Sequence, residues 1–454
     1  MSEKEVMTLT QEIPEKRWGR PFRGLRLRVL IVYRILFSLM SLLNIGVLIA
    51  VVLTNANKEW LATITAINLV IAVVIRQDHV INMLYAVACS VPKSSPLALR
   101  KRMAKIYHLG GIHSGAAVCA TAWLVASTVK STVDRVTTVR VAGRRRDESL
   151  ATLVTSWILS ALCCGMVICA MPAFRKKYHN IFERVHRFAG WTVLALFWVR
   201  TGLSVRDSTP YGDDLGLALI KSPGFWLLGV ATCSIASSWM YLRKTPVHAE
   251  RLSDHAVMLS FEYDVPVNGS FARLACRPMS QWHSFATIPN PKDAPNQLGA
   301  GYSVVVSNAG DWTRECIRNP PKEIWVRGVP TSGVMRVASL FNRLVIIATG
   351  SGIGPMLGHI SHPSCPTQLI WSAPDPEKTF GKDLLDTIHA GIPDALIYDT
   401  KQLGRPDLVR MGYNLAMEFK AEAVIIIANE KITKKVVYGL ESRGLPAFGA
   451  IWDS

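Results

Sequence analysis

Six apolar runs of close to twenty residues fall in the first 245 positions of this chain, and they constrain its fold more than any other feature. They are roughly Val29–Leu53, Trp60–Ile75, Ile106–Val129, Leu150–Met171, Val185–Leu203 and Phe225–Leu242. About 20 apolar residues wound into a helix cross a hydrocarbon core of about 30 Å, and only helices or closed barrels satisfy their backbone there. The second run is short and stops at Arg76-Gln77-Asp78-His79, after which Val80–Ser90 resumes the apolar pattern. That piece reads as helix running on at the interface, or as a partly re-entrant segment. The basic stretch from Lys16 to Arg28 leads into a run too long for a signal-peptide core and no small-residue cleavage site follows, so Val29–Leu53 is expected to stay as a helix.

Charge fits this reading. The 454 residues carry 51 Lys+Arg against 33 Asp+Glu, a net +18, yet only 19% of residues are charged. Soluble domains hold about 25%, and a nucleic-acid binder would spread its cations over polar surface, so nucleic acid is excluded as a partner. Disorder is excluded by the 50% of hydrophobic residues. Cations gather before the first run (Arg17, Arg20, Arg23, Arg26, Arg28), before the third (Arg100, Lys101, Arg102, Lys105) and before the fifth (Arg175, Lys176, Lys177). Arg243 and Lys244 follow the sixth. All four sets fall on one side, so the positive-inside rule predicts a multi-pass membrane protein with both termini cytosolic, in contact with membrane lipid. Arg144-Arg145-Arg146 would lie on the opposite side and opposes the assignment. Nine cysteines with no CxxC pair form neither a disulfide framework nor a zinc site, and small apolar packing is their expected role.

After Lys244 the texture changes. Short alternating runs at His255–Tyr263, Phe271–Met279, Tyr302–Ser307 and Glu323–Val329 predict a small antiparallel barrel. From Leu344 apolar strands at Leu344–Ala348, Gln368–Ser372, Ala395–Tyr398 and Ala423–Ala428 alternate with helical segments at Lys382–His389, Asp407–Phe419 and Lys431–Arg443. Such alternation predicts a doubly wound parallel sheet with its ligand at the carboxyl ends of the strands. The cluster Gly350-Ser351-Gly352-Ile353-Gly354-Pro355 stands between a buried strand and a helix, where backbone amides and a helix N-terminus bind phosphate. A structural turn is the competing reading. The expected domains are a basic cytosolic N-terminus (1–28), a six-helix transmembrane domain (29–244), a β-barrel (245–343) and an α/β domain (344–454).

Together these features resemble the ferric reductase and NADPH oxidase superfamily, and most of all the fungal TmpA-type integral membrane proteins, over roughly residues 25–454. The resemblance implies a six-span membrane domain followed by a ferredoxin-reductase-like module, in which the barrel binds FAD and the α/β domain binds NADPH, with NADH as the alternative. The family's flavin motif His-Pro-Phe-Thr is represented by Trp282-His283-Ser284-Phe285-Ala286-Thr287, and its Gly-Asp-Trp-Thr segment by Gly310-Asp311-Trp312-Thr313. Its pyrophosphate turn resembles Arg327-Gly328-Val329-Pro330 through Ser332-Gly333, and its Gly-x-Gly-x-x-Pro turn matches Gly350–Pro355. Arg405, in Gly404-Arg405-Pro406, is thereby implied to meet a 2′-phosphate, and Trp452 to stack near the flavin. Ala428-Asn429-Glu430 replaces the family's Cys-Gly-Pro, so no thiol stands beside the nicotinamide.

Ferric reductases place two histidines about a dozen residues apart on each of two helices, as axial ligands of two haems. His108 and His186 resemble the first member of each pair, but the positions 13 or 14 residues on are Thr121, Ala122, Val199 and Arg200. The outer haem is therefore expected to be missing. Three readings stay open for His108 and His186: no ligand, one inner haem, or a proton or metal site. The first is preferred, so haem is not expected. The function implied is a membrane flavoprotein oxidoreductase that passes electrons from NAD(P)H through FAD to a small lipophilic acceptor or partner protein at the cytosolic face. A haem-containing transmembrane ferric reductase and a non-catalytic scaffold or signalling descendant are the alternatives.

Overall fold

A computed structural model describes residues 10–54, 58–137, 148–290 and 299–450. The first half forms helices α1 (Val32–Leu53), α2 (Lys58–Val74), α3 (Asp78–Cys89), α4 (Gly110–Thr137), α5 (Leu150–Ala170), α6 (His179–Ser208) and α7 (Pro223–Met240). Among the described residues, α1, α4, α5 and α6 are each long and apolar enough to cross a membrane. The other two expected spans are broken: Glu59–Val74 meets Asp78–Cys89 at 70°, and Leu215–Lys221 meets Pro223–Met240 at 71°. A count of six is reached only when each bent pair is taken as one span.

Two compact units divide the chain. The helical unit comprises the described residues of 32–77 and 109–237. Its centre is α4, which packs on α1, α2 and α5, while α5 also packs on α6. Leu124, Leu159, Val193, Phe197 and Leu228 form its apolar centre. Asn44 and Asn68 exchange side-chain hydrogen bonds at 3.1 and 2.8 Å, and the Trp123 indole donates to Asn44 at 2.9 Å. Polar clasps of this kind join helices where apolar burial alone gives no preference.

The second unit gathers the described residues up to Ile31, Asp78–His108 and the described residues from Ser238 on. Its strands are β1 (Arg243–Pro246), β2 (His248–Arg251), β3 (Ala256–Phe261), β4 (Ser270–Ala275), β5 (His283–Ala286), β6 (Ile288–Asn290), β7 (Gly301–Ser307), β8 (Glu323–Ser332), β9 (Leu344–Thr349), β10 (Thr367–Ala373), β11 (Leu396–Asp399), β12 (Ala423–Ile427) and β13 (Ala447–Gly449). Two antiparallel four-stranded sheets, ordered β1-β8-β4-β5 and β2-β3-β7-β6, close on Val257, Leu259, Leu274, Tyr302 and Ile324. Helix α8 (Asp311–Arg318) follows β7. The remaining strands make a parallel sheet ordered β11-β10-β9-β12-β13. Helices α9 (Gly354–Ser361), α10 (Lys382–Gly391), α11 (Leu408–Glu418) and α12 (Glu430–Glu441) join its strands. Successive residues of β9 enter opposite cores, Ile346 and Ala348 one and Val345 and Ile347 the other. Both faces are therefore covered, which is why the strand reads as continuously apolar.

Segment Asp78–His108 departs from the expected domain limits, which placed all of 29–244 in the membrane part. It packs with the strands because its polar groups find partners there. Arg100, 5% exposed at its side chain, pairs bidentately with Glu422 at 2.6 and 2.8 Å and also donates to the Leu340 carbonyl at 2.9 Å. Lys105 pairs with Glu441 at 2.7 Å, while Tyr85 and Ala104 join the same core as Phe341 and Trp371. The basic N-terminal stretch is engaged too: Arg17 N–H donates to Ser442 at 2.7 Å and Arg443 to the Pro14 carbonyl at 2.7 Å. Arg23 donates to the Tyr438 hydroxyl at 2.9 Å, and with Arg28 and Lys16 nearby it lowers the pKa of that hydroxyl.

Candidate functional site

In the parallel sheet the strand order runs one way from β9 through β10 to β11 and the other way through β12 to β13, so the crevice opens between the ends of β9 and β12. The turn Gly350–Pro355 leaves β9 at that point. Gly350 takes φ +51°, a conformation that glycine adopts without strain. A Cβ on Gly352 would lie 2.2 Å from the Ile427 carbonyl oxygen at the end of β12, so only glycine lets the two strand ends approach. Ser351 is exposed and Ile353 buried, and Gly354 with Pro355 opens α9. The arrangement turns backbone and a helix start toward the crevice, as a nucleotide phosphate requires.

One residue that holds this turn was not singled out from the sequence. Trp371, fully buried in β10, donates its indole N–H to the Gly350 carbonyl at 3.0 Å. The neighbouring strand β11 ends in Asp399, which accepts from the amides of Asp375 and Lys401, both at 2.8 Å. Those bonds, the Asp375 amide foremost, hold its carboxyl below the usual range. Lys401 reaches Asp375 at 3.1 Å, and Arg405 stands exposed after Gly404, whose φ is +73°. Where the resemblance has a cysteine, Ala428 is buried and Asn429 caps α12 by accepting from the Ile432 amide at 3.0 Å.

The barrel residues are arranged differently. His283 and Phe285 lie against the Trp312 ring, at centroid distances of 4.5 and 5.6 Å, while Ser284 is exposed. Thr287 is buried and donates to the Ser270 carbonyl at 3.1 Å. The Arg327 guanidinium lies 4.9 Å from the Trp282 ring and 4.8 Å from the Trp239 ring. Ser332 donates its amide to the Asn82 side chain at 2.8 Å, Gly333 donates to Gly269 at 2.8 Å, and an Asp78 carboxylate oxygen stands 2.4 Å from where a Cβ of Gly328 would be. Of the groups named for a flavin pyrophosphate, the Ser332 and Gly333 amides thus donate within the chain, and Gly328 has Asp78 against it.

The histidines regroup as well. His108 and His186 belong to different units. The ring beside His186 is that of His113, 6.2 Å away between centroids and 72° apart in plane, and His113 Nδ1 lies 2.8 Å from the Ala72 carbonyl. Arg200, at the position of an outer haem ligand, is buried and donates to Ser156 at 2.9 Å. No group of three or more His, Cys, Asp or Glu able to hold a metal ion occurs among the described residues. Trp452 and Arg144–Arg146 lie outside the described residues.

A family model described as the C-terminal domain of adenylate-forming reductase 03009 matches residues 334–454. Two curated relatives from Coprinopsis cinerea are similar along nearly the whole chain. Adenylate-forming reductase 03009 is 44% identical over 442 residues, which is 97% of this chain and 42% of that protein. Adenylate-forming reductase 06235 is 45% identical over 448 residues, 98% of this chain and 42% of that protein. This chain therefore spans less than half the length of the curated relatives it matches. Among solved structures, the flavohemoglobin from Malassezia yamatoensis with bound FAD and heme is 14% identical, with 87% of this chain and 99% of that one covered at a TM-score of 0.41. The ferredoxin-NADP+ reductase from Plasmodium falciparum with 2'P-AMP is 11% identical, covering 46% of this chain and 95% of that one at a TM-score of 0.34.

Proposed function

We propose that this chain is a membrane-embedded oxidoreductase module that draws hydride from NAD(P)H at the Gly350–Pro355 turn. The observation that carries the reading is the fit of that turn: glycine at positive φ, glycine against the Ile427 carbonyl, and an indole holding the Gly350 carbonyl, all at the switch point of a parallel sheet. The names of two relatives, both reductases, support a reducing role. Gly350, Ser351 and the start of α9 hold the phosphates, and the exposed Arg405 supplies positive charge for a 2′-phosphate, which favours NADPH over NADH. The sheet orients the nicotinamide so that its hydride leaves toward the acceptor, with a proton from solvent completing the reduction. That acceptor is a lipophilic small molecule or a partner protein at the cytosolic membrane face, and no step is assigned to a flavin. Long apolar helices and the one-sided cation sets support a multi-pass membrane location with cytosolic termini. The test is titration of the intact chain in detergent micelles with NADPH and NADH. Saturable binding that Gly352→Ala abolishes agrees, and binding of neither nucleotide rejects the reading.

A second reading rests on the juxtaposition of His113 and His186. With Nδ1 of His113 directed to a carbonyl, its Nε2 is left to face a metal, the usual second-sphere arrangement of a ligating imidazole. His113 and His186 would hold a single haem, which would supply one-electron transfer. A Soret band that disappears in both His113→Ala and His186→Ala supports it, and a colourless preparation rejects it.

A further inference from the structure

The barrel carries a turn of the kind that holds a flavin pyrophosphate, yet its Ser332 and Gly333 amides already donate within the chain and Asp78 lies against its Gly328. We infer that α3 occupies the pyrophosphate seat of this barrel, and that Asp78 and Asn82 are the residues by which the chain excludes a flavin dinucleotide such as FAD.

The argument follows the groups a pyrophosphate needs: amide donors, a guanidinium and close backbone approach. Asn82 satisfies the turn from both sides, accepting from the Ser332 amide at 2.8 Å and donating to the Pro330 carbonyl at 2.9 Å. Asp78, whose side chain is only 4% exposed, pairs with Arg273 at 2.8 Å and covers Gly328, the one residue of this turn at positive φ. A carboxylate in that position meets the same cation that a phosphate would, and it repels a second anion. The Arg327 guanidinium lies against both the Trp239 and the Trp282 ring.

Helix α3 is built into the unit and is not a detachable cover. Tyr85 is 3% exposed and shares a core with Met335, Phe341 and Trp371, and the Cys89 thiol lies 3.7 Å from the Arg336 carbonyl. Swinging the helix aside would expose this core. What remains beside it is a cavity of about 390 Å³ bordered by His79, Asn82, Asp264, Ser332 and Arg336. That is the low end of the ~300–1,000 Å³ typical of a single small ligand.

The test uses the intact chain in detergent micelles, with FAD and riboflavin as probes and flavin fluorescence as the readout. The wild-type chain is expected to carry no FAD on purification and to bind added FAD no more tightly than riboflavin. Asn82→Ala together with Asp78→Ser frees the amide, the guanidinium and the glycine surface, and is expected to tighten FAD at least tenfold while leaving riboflavin unchanged. Unaltered NADPH binding checks that the pair of substitutions folds. Should it not fold, Asn82→Ala alone is compared, with a smaller gain of the same sign expected. Stoichiometric FAD in the wild-type chain, or FAD binding that the substitutions leave unchanged or weaken, would overturn the inference.

Discussion

Gly350 and Gly328 stand at similar backbone angles, φ +51° and +71°, in two turns that both resemble phosphate seats. Beyond Gly350 no atom of a non-neighbouring described residue lies within 4 Å of where a Cβ would be, whereas beyond Gly328 the Asp78 carboxylate is 2.4 Å away. The difference is one of neighbours and not of local conformation. A glycine turn marks where a phosphate can approach, but what else the fold brings to that point decides whether it does. In the sheet the neighbour is the end of the next parallel strand, which leaves the crevice open. In the barrel it is α3, drawn in by its own ion pair and amide bonds.

The largest effect that separates the two turns is expected at Gly352. Valine there would force apart β9 and β12, and NADPH affinity should fall at least a thousandfold, about 4 kcal/mol, in a fluorescence titration; an affinity within tenfold of wild type would place the nucleotide elsewhere. Next comes the tie that keeps segment Asp78–His108 with the sheet. Glu422→Ala leaves Arg100 buried beside the Leu340 carbonyl with no counter-charge. The cost is about 3 kcal/mol, after discounting for the partial exposure of the glutamate. Thermal loss of nucleotide binding should shift downward accordingly. An unchanged midpoint would mean that the segment contributes nothing to the nucleotide-binding unit.

Acid should weaken the sheet. Burial foremost, and then Lys93, pushes the His359 pKa from 6.5 down to about 4, so the unfolded chain takes up the proton first. Stability from this group is complete above about pH 6.5 and is lost as pH falls toward 4, by roughly 2–3 kcal/mol. Glu422, held to about 2 chiefly by Arg100, adds a second loss beginning below about pH 4.5. A pH series of melting midpoints for wild type and His359→Gln tests this; the variant should lose the upper limb of the decline and keep the lower. The smallest expected effect is at Trp371→Phe. It removes one hydrogen bond from the Gly350 carbonyl, about 1 kcal/mol, and should weaken NADPH roughly fivefold without altering the barrel.

The long, uniform elements were legible in the sequence. Strands β3, β4, β7, β8, β9, β10 and β12 fall on the expected runs, because a buried parallel strand or an alternating antiparallel one carries its own pattern over five or more residues, and the four-residue β11 was found from the strand–helix alternation around it. Strands β1, β2, β5, β6 and β13 have three or four residues each, too few for a period to show, and their pairing is imposed by neighbours. Helix α3 was misplaced for a different reason. Hydropathy averages its face toward the core with the polar Asp78 and Asn82, and nothing local reveals that their partners are Arg273 and Ser332, about 195 and 250 positions away. The Gly350–Pro355 turn was legible because strand, turn and helix are contiguous. The barrel turn looked equally good because its occupant comes from far along the chain. Regrouping of His186 with His113 instead of His108 has the same origin, since spacing along a helix does not report which ring the adjacent helix presents.

The most direct test is a paired titration of the intact chain in detergent micelles, with NADPH and FAD measured against wild type, Gly352→Ala and Asn82→Ala. Independent seats of opposite character predict that Gly352→Ala abolishes NADPH binding and leaves FAD unbound, while Asn82→Ala leaves NADPH binding intact and admits FAD. A wild-type chain that binds FAD tightly, and loses it on Asn82→Ala, would contradict the account.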